Sequence, residues 1–232
     1  MRPRAPPSTD IREELVALQR GLQACRACPH VAGTPVHGPP VESRILLVGQ
    51  APGPREAALG RPFAWTAGRT LFRWLEDALG VDESTVRDRI YISAVARCFP
   101  GKAPGGGDRR PDPGEVERCH RWLAAEVALL APRLILPVGT LAIERVLGHE
   151  GKLAEVVGRK LEVTFAGHRC QAIPLPHPSG ASTWHRMEPG KTLLARALQL
   201  LAKHPEVRDV FGGAASRTAG LRVQRREGRP NR

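Results

Sequence analysis

Arg44-Ile-Leu-Leu-Val-Gly49-Gln-Ala-Pro-Gly53 decides the reading of the chain. Ile45 to Val48 is an unbroken apolar run, short and stopped by a Gly–Pro turn. Such a run fits a strand covered on both faces rather than one with a wet side. Working outward, Ile90-Tyr-Ile-Ser-Ala-Val95 and Leu134-Ile-Leu-Pro-Val138 read as two more buried strands. Leu161–Phe165 and Cys170–Pro174 read as a further pair, a hairpin. Helical patterns separate them. Ile11, Leu15, Leu18 and Leu22 recur at helical spacing after Asp10, and Ala67 to Leu79 is helical up to the stop at Gly80. Asp112, Pro113 and Glu115 form a capping-box start. Gly139 opens another helix, and Pro189 to Lys203 is the last. Alternating strands and helices predict an α/β fold, a three-layer α/β/α sandwich with a mainly parallel central sheet. Ligands of such sheets sit beyond the carboxyl ends of the strands, so the residues just after each strand are the candidate site.

The chain has 232 residues, enough for one domain with a substantial core. Its 35 Lys and Arg against 23 Asp and Glu leave +12, a balance that suits a polyanionic partner such as nucleic acid. No apolar run is long enough to span a membrane, so no membrane association is expected. Met1-Arg-Pro-Arg-Ala-Pro-Pro is charged but has no apolar stretch behind it, so no secretory signal is expected and the location expected is cytoplasmic. Residues 1–9 are Pro-rich and read as a disordered N-terminus, 10–204 as the folded domain, and 205–232 as a basic, disordered C-terminal tail. From Arg208 to Arg232 the tail holds seven Arg against one Asp and one Glu.

The cysteines are Cys25, Cys28, Cys98, Cys119 and Cys170. Cys25-Arg-Ala-Cys28 is a C-x-x-C pair, Cys98 follows the second strand, and Cys119 lies on the helix capped by Asp112. Four thiolates from two local pairs suit zinc or an iron–sulfur cluster, and spacing alone does not choose between them. Cys170 falls in a strand and reads as a small apolar residue.

Three segments follow strands or lie close to strand ends. Gly49-Gln50-Ala51-Pro52-Gly53 is a loop whose glycines let backbone amides approach a ligand. Gly60-Arg-Pro-Phe63 places an aromatic ring where it can stack on a base. Pro174-Leu-Pro-His177-Pro-Ser179 holds an imidazole on stiff backbone, where it can donate a hydrogen bond to a leaving group. Gly190-Lys-Thr192 imitates the end of a phosphate-binding loop, but His185 stands where that motif requires glycine.

The order of these segments is more informative than any one of them. C-x-x-C, G-x-A-P-G, G-R-P-F with A-G-R after it, R-C-x-P-G, a fourth Cys on a helix, L-I-L-P-V-G and H-P-S follow one another from Cys25 to Lys203. This order resembles the family 4 and family 5 uracil-DNA glycosylases of bacteria and archaea. The resemblance implies a [4Fe–4S] cluster on Cys25, Cys28, Cys98 and Cys119. It implies that Gly49 to Gly53 faces water and uracil, that Phe63 stacks on a flipped base and that His177 bonds the uracil oxygen. It also implies that the His177–Ser179 loop presses into the minor groove. DNA is the implied partner, and a monomer acting by base-excision repair without strand cleavage is the implied form. Three departures stand out. Family 4 carries Glu where this chain has Gln50 and Asn where it has Ala94. Family 5 carries an Asp after G-R-P-F, where this chain reads Ala64-Trp-Thr66. An amide cannot act as a base, so Gln50 orients water at most, and His177 carries the main catalytic role. The same departures allow a second reading, a non-catalytic DNA-binding or lesion-sensing protein on this scaffold.

Overall fold

The computed structural model describes residues 10–212. The termini 1–9 and 213–232, which include most of the expected basic tail, lie outside the described residues. Five strands form one sheet: β1 (Ile45–Gly49), β2 (Tyr91–Ala94), β3 (Leu134–Pro137), β4 (Leu161–Phe165) and β5 (His168–Ala172), in the order β2-β1-β3-β5-β4. β1 runs parallel to β2, with Gly49 beside Ala94, and parallel to β3, with Val48 beside Pro137. β3 and β5 are parallel too, and only the edge strand β4 is antiparallel.

The helices are α1 (Ile11–Gln23), α2 (Pro54–Leu59), α3 (Thr66–Leu79), α4 (Glu83–Arg89), α5 (Pro113–Leu130), α6 (Thr140–Leu147), α7 (Leu153–Val156) and α8 (Gly190–Lys203). They cover both faces of the sheet, which explains why β1 shows no polar alternation. Ile45 and Leu47 pack with Leu71, Phe72 and Leu75 of α3, Val86 of α4, and Leu194 and Leu201 of α8. Leu46 and Val48 point the other way, toward Leu15 of α1, Leu123 and Val127 of α5, and Leu141 and Val146 of α6. This is the expected three-layer sandwich.

Helix starts follow their local chemistry. The Asp112 carboxylate accepts from the Glu115 amide at 2.8 Å, and Glu115 Oε2 accepts from the Asp112 amide at 2.9 Å. The capping box read from sequence is therefore made in both directions. Asp10 caps α1 through the Arg12 amide at 3.0 Å. The short helices α2 and α4 are absent from the sequence reading, because six or seven residues show little more than one turn of apolar period.

The expected end of the domain at residue 204 needs correction. Residues 205–212 are helical, and Val207 and Phe211 are buried in the core beside α3 and α8. These two apolar side chains, spaced four apart, fold back onto the sheet. Arg133 pairs with Glu206 at 2.9 Å, and Arg89 donates to the Val210 carbonyl. Arg208, counted with the tail charge, is therefore part of the folded unit.

Between the sheet and α5 lies a buried ionic network. Arg97 and Glu126 are each 1 % exposed and directly paired. Glu126 also accepts from Tyr91 Oη and Ser93 Oγ, both at 2.8 Å. Gln19 of α1 donates to Tyr91 Oη at 3.3 Å and to the Gly38 carbonyl at 3.2 Å. Removing one member of a buried pair leaves the other charge unsolvated, at a cost of about 3–5 kcal/mol. Glu126→Leu is accordingly expected to lower unfolding free energy in urea by about that amount. The double change Arg97→Met/Glu126→Leu should recover most of the loss, and a single variant as stable as the parent would show that the pair contributes nothing.

Candidate active site

The carboxyl ends of β1, β2, β3 and β5 open into one cleft of about 790 Å³. Its lining includes Gly49 to Gly53, Phe63, Ser93, Ala94, His177 and Ser179. Every residue expected to meet a base thus borders one space. The loop after β1 is held from below: Val95 N–H donates to the Gly49 carbonyl at 2.9 Å, and Ala96 N–H to that of Gln50 at 3.0 Å. β1 and β2 therefore stay paired past their formal ends, which fixes the backbone under Gln50.

Phe63 is seated by its surroundings. Its φ of 52° is left-handed, an uncommon conformation for a residue with a large side chain. Arg87 of α4 donates to the Pro62 carbonyl at 3.0 Å and to the Phe63 carbonyl at 2.9 Å. Glu83 holds the same guanidinium at 2.8 Å. Glycines then make room: a Cβ on Gly49 would lie 2.7 Å from the Phe63 ring, and one on Gly68 would lie 1.7 Å from its carbonyl oxygen. The sequence reading missed Arg87, because an arginine in a helix gives no sign of which carbonyls it will meet.

Glu56 ties this aromatic loop to the loop after β1. Its carboxylate accepts from the Gly53 amide at 2.8 Å and from the Trp65 and Ala64 amides. Burial nevertheless raises its pKa, more than these bonds lower it. At the rim, Trp65 is 44 % exposed and lies between the guanidiniums of Arg55 and Arg69, at 5.3 and 5.5 Å.

His177 is the best-defined polar group in the cleft. The Ser179 amide donates to its Nδ1 at 3.2 Å, and Ser179 Oγ lies 2.9 Å from the same nitrogen. A backbone N–H can only donate, so Nδ1 must be bare and the ring proton sits on Nε2. Burial lowers the His177 pKa, and the neighbouring His185 lowers it further. The imidazole is therefore neutral near pH 7 and presents one N–H donor. Gly139, at φ 87° after β3, clears its place, since a Cβ there would come within 2.8 Å of the ring.

The segment between β2 and α5 also reaches the cleft. Lys102 and Asp108 pair across a small ribbon, joined by a bridge and by an ion pair of 2.6 Å. Arg109 anchors its base on Glu115, at 2.7 and 2.9 Å, and on the Pro100 carbonyl. The Lys102–Asp108 pairing depends on the turn at Gly106 and Gly107, where the Gly106 amide donates to the Ala103 carbonyl and the Ala103 amide to that of Gly107.

The four expected metal-binding cysteines surround a second, smaller cavity of about 130 Å³ that Cys170 does not reach. None is in a disulfide. Among the described residues, no group of three or more Cys, His, Asp or Glu is arranged to hold a metal ion. The thiols instead stand around a space large enough for a group of several atoms. Their surroundings are cationic and rich in donors. Arg26, Arg97 and Arg118 line the cavity, and Arg121 Nη2 reaches Cys25 Sγ at 3.6 Å. Arg97 Nη1 is a buried donor without a hydrogen-bond partner, and Arg97 and Trp122 both border this space. Burial raises the Cys98 thiol to about 12 and raises Cys119 as well. At Cys25 burial acts in the same direction, but the Ala27 amide and Arg121 outweigh it and the pKa falls. An anionic, sulfur-ligated group fits this donor set.

Residues 35–202 match the sequence profile of the uracil DNA glycosylase superfamily. The chain is 31 % identical to the type-4 uracil-DNA glycosylase of Thermotoga maritima, over 72 % of this chain and 83 % of the relative. It is 28 % identical to that of Archaeoglobus fulgidus, over 72 % and 82 %. It is 31 % identical to the type-5 uracil-DNA glycosylase of Pyrobaculum aerophilum, over 62 % and 65 %. With the cleft at the strand ends and a profile match across most of its length, the chain belongs to the uracil DNA glycosylase superfamily.

Proposed function

We propose that this protein is a DNA base-excision repair glycosylase that hydrolyses the N-glycosidic bond of uracil, or of another deaminated base, in DNA. The observation that carries this reading is the Nδ1 bond from the Ser179 amide, which leaves His177 a neutral donor at Nε2. Such a donor stabilises negative charge as it builds on a departing base, without first giving up a full proton. The target nucleotide must leave the duplex to reach the cleft, as glycosylase substrates generally do. Phe63, fixed by Arg87, stacks on the flipped base, and the Gly49–Gly53 backbone borders its edge. Gln50 orients water. The His177–Ser179 loop contacts the minor groove, and the excess of basic residues meets the phosphates. The cleft is formed by one chain, so a monomer suffices.

Lys102 is the lysine that lines the cleft, and its ammonium is held by Asp108. An ion-paired ammonium is a poor nucleophile, so a Schiff base with the sugar is not expected and the product is an intact strand with an abasic site. Cys25, Cys28, Cys98 and Cys119 would hold a [4Fe–4S] cluster, whose iron–thiolate bonds would join the segment after α1 to α5 and the start of the ribbon. What supports this is their shared cavity, its arginines and the unpartnered Arg97 donor. The cluster's place here is structural, and the hydrolysis is left to the cleft residues.

Anaerobically purified protein is expected to be brown, with about four irons and four sulfides per chain. Cys98→Ser should lose the iron and Cys170→Ala should keep it; equal iron in both would remove the assignment. On a uracil-containing oligonucleotide, single-turnover excision read by alkaline cleavage should fall about 10²–10³-fold in His177→Ala. Gln50→Ala should cost less, and the reverse order would reassign the main role. The sign of the pH dependence follows from the lowered His177 pKa. Excision should stay flat around neutrality and fall in acid, where protonation of Nδ1 breaks the Ser179 bond. A rate that rises as the imidazole protonates would contradict the neutral donor. DNA binding without excision of any deaminated base would leave the non-catalytic reading in its place.

A further inference from the structure

We propose that Asp108 is the catalytic carboxylate of this cleft, the group that positions the attacking water and takes its proton. The inference deepens the glycosylase reading and rests on it. Cleavage of the N-glycosidic bond leaves positive charge on the sugar, and the incoming water must shed a proton. Both events favour a carboxylate. Gln50 has no useful proton affinity. Among the described residues, the acidic side chains lining the cleft are Glu56 and Asp108. Glu56 is buried, and its carboxylate is already committed to the amides of Gly53, Ala64 and Trp65. It holds two loops together and has little capacity left for water.

Asp108 is placed differently. Its Oδ1 accepts from Lys102 at 2.6 Å, and its Oδ2 leans on the loop after β1, 3.3 Å from where a Cβ of Gly53 would stand. That loop is the one carrying Gln50. The approach is possible because position 53 has no side chain. The carboxylate is also held in place. Arg109, the next residue, donates to Glu115 at the start of α5 through two bonds and to the Pro100 carbonyl. Arg109 N–H closes the ribbon on the Gly101 carbonyl at 2.9 Å. A carboxylate on an anchored ribbon keeps its geometry without being reorganised during the reaction. The Lys102 ammonium, 2.6 Å away, fixes the orientation of the carboxylate through Oδ1 and leaves Oδ2 toward the loop after β1.

The step balances as a hydrolysis. The bond from C1′ to the base nitrogen breaks and its electron pair leaves with the base, stabilised by the Nε2–H of His177. The water oxygen bonds C1′, its proton passes to Asp108 and then to solvent, and the base anion takes up a proton from solvent.

The test uses the full holoprotein and measures two quantities: the single-turnover excision rate and the affinity for the abasic product. Asp108→Asn is expected to lower the rate about 100-fold or more, the scale of a lost general base. Affinity should be unchanged or tighter, since a negative charge leaves a DNA-binding cleft. A merely structural role would weaken both. Gln50→Glu, added to Asp108→Asn, places a carboxylate on the facing loop and should restore about tenfold or more of the rate. The assignment is overturned if Asp108→Asn excises at close to the parent rate. It is equally overturned if rate and affinity fall together, or if Gln50→Glu restores nothing. A parent protein that excises no base removes the glycosylase reading and this assignment with it. Parent activity that survives Asp108→Asn removes the assignment alone.

Discussion

The parallel pairing of β1 with β2 on one side and β3 on the other governs the rest of the molecule. Three strands ending at the same level must send their chains out over the same edge of the sheet, and those chains part above β1. The gap between them is the cleft. Gly49 closes β1 beside Ala94, and the continued bonds from Val95 and Ala96 keep the floor from opening. Above that floor the site needs only side chains that arrive from different loops. Phe63 comes after α2, His177 after β5 and Asp108 from the ribbon before α5. Each is held by a partner distant in sequence or by a glycine that leaves room for it.

The segment after β2 carries two loads. Within a few residues it supplies Arg97 to the buried network, Cys98 to the thiol cavity and Pro100 to the lining of both cavities. It then becomes the ribbon bearing Lys102 and Asp108. Arg97 is the physical link between them. Its guanidinium is neutralised by Glu126 on one side, while Nη1 remains without a partner beside the cysteines. A buried donor left unpaired is costly, so an anionic group among the thiols would satisfy the network as well as join the elements. The backbone between Cys98 and Cys119 runs from the thiol cavity past the cleft, and Pro100 lines both.

The chemistry of the cleft is a division of charge. His177, with its Nδ1 taken up by the Ser179 amide, borders the cleft on one side, and the Asp108 carboxylate, paired with Lys102, borders it on the other. Keeping them apart matters, because a carboxylate beside His177 would favour the imidazolium and compete for the Nε2 proton. The fold separates them by placing His177 after β5 and Asp108 on the ribbon that follows β2, on opposite sides of the central strand in the sheet order.

Much of this was legible in the residues alone. The unbroken run Ile45 to Val48 required cover on both faces, and that set the layered fold. Asp112, Pro113 and Glu115 announced a helix whose cap is made as written. Gln50 and His177 stood out by position just after strands, the cysteines by their C-x-x-C pair and spacing, and the order of all these motifs by its resemblance to a known family, because each of these signals is local in sequence. What sequence could not supply was the identity of partners brought together by folding. Arg87 finds the carbonyls of residues 62 and 63 through the packing of α4. Arg97 and Glu126 meet across a sheet–helix interface. Val207 and Phe211 join the core beside α3 and α8, where local composition suggested only a tail. Asp108 faces Gly53 because a ribbon folds over the cleft. Local sequence determines periodicity, caps and turns through interactions between near neighbours. Which charged group meets which carbonyl or loop depends on contacts between residues far apart in the chain, and only the tertiary structure decides those.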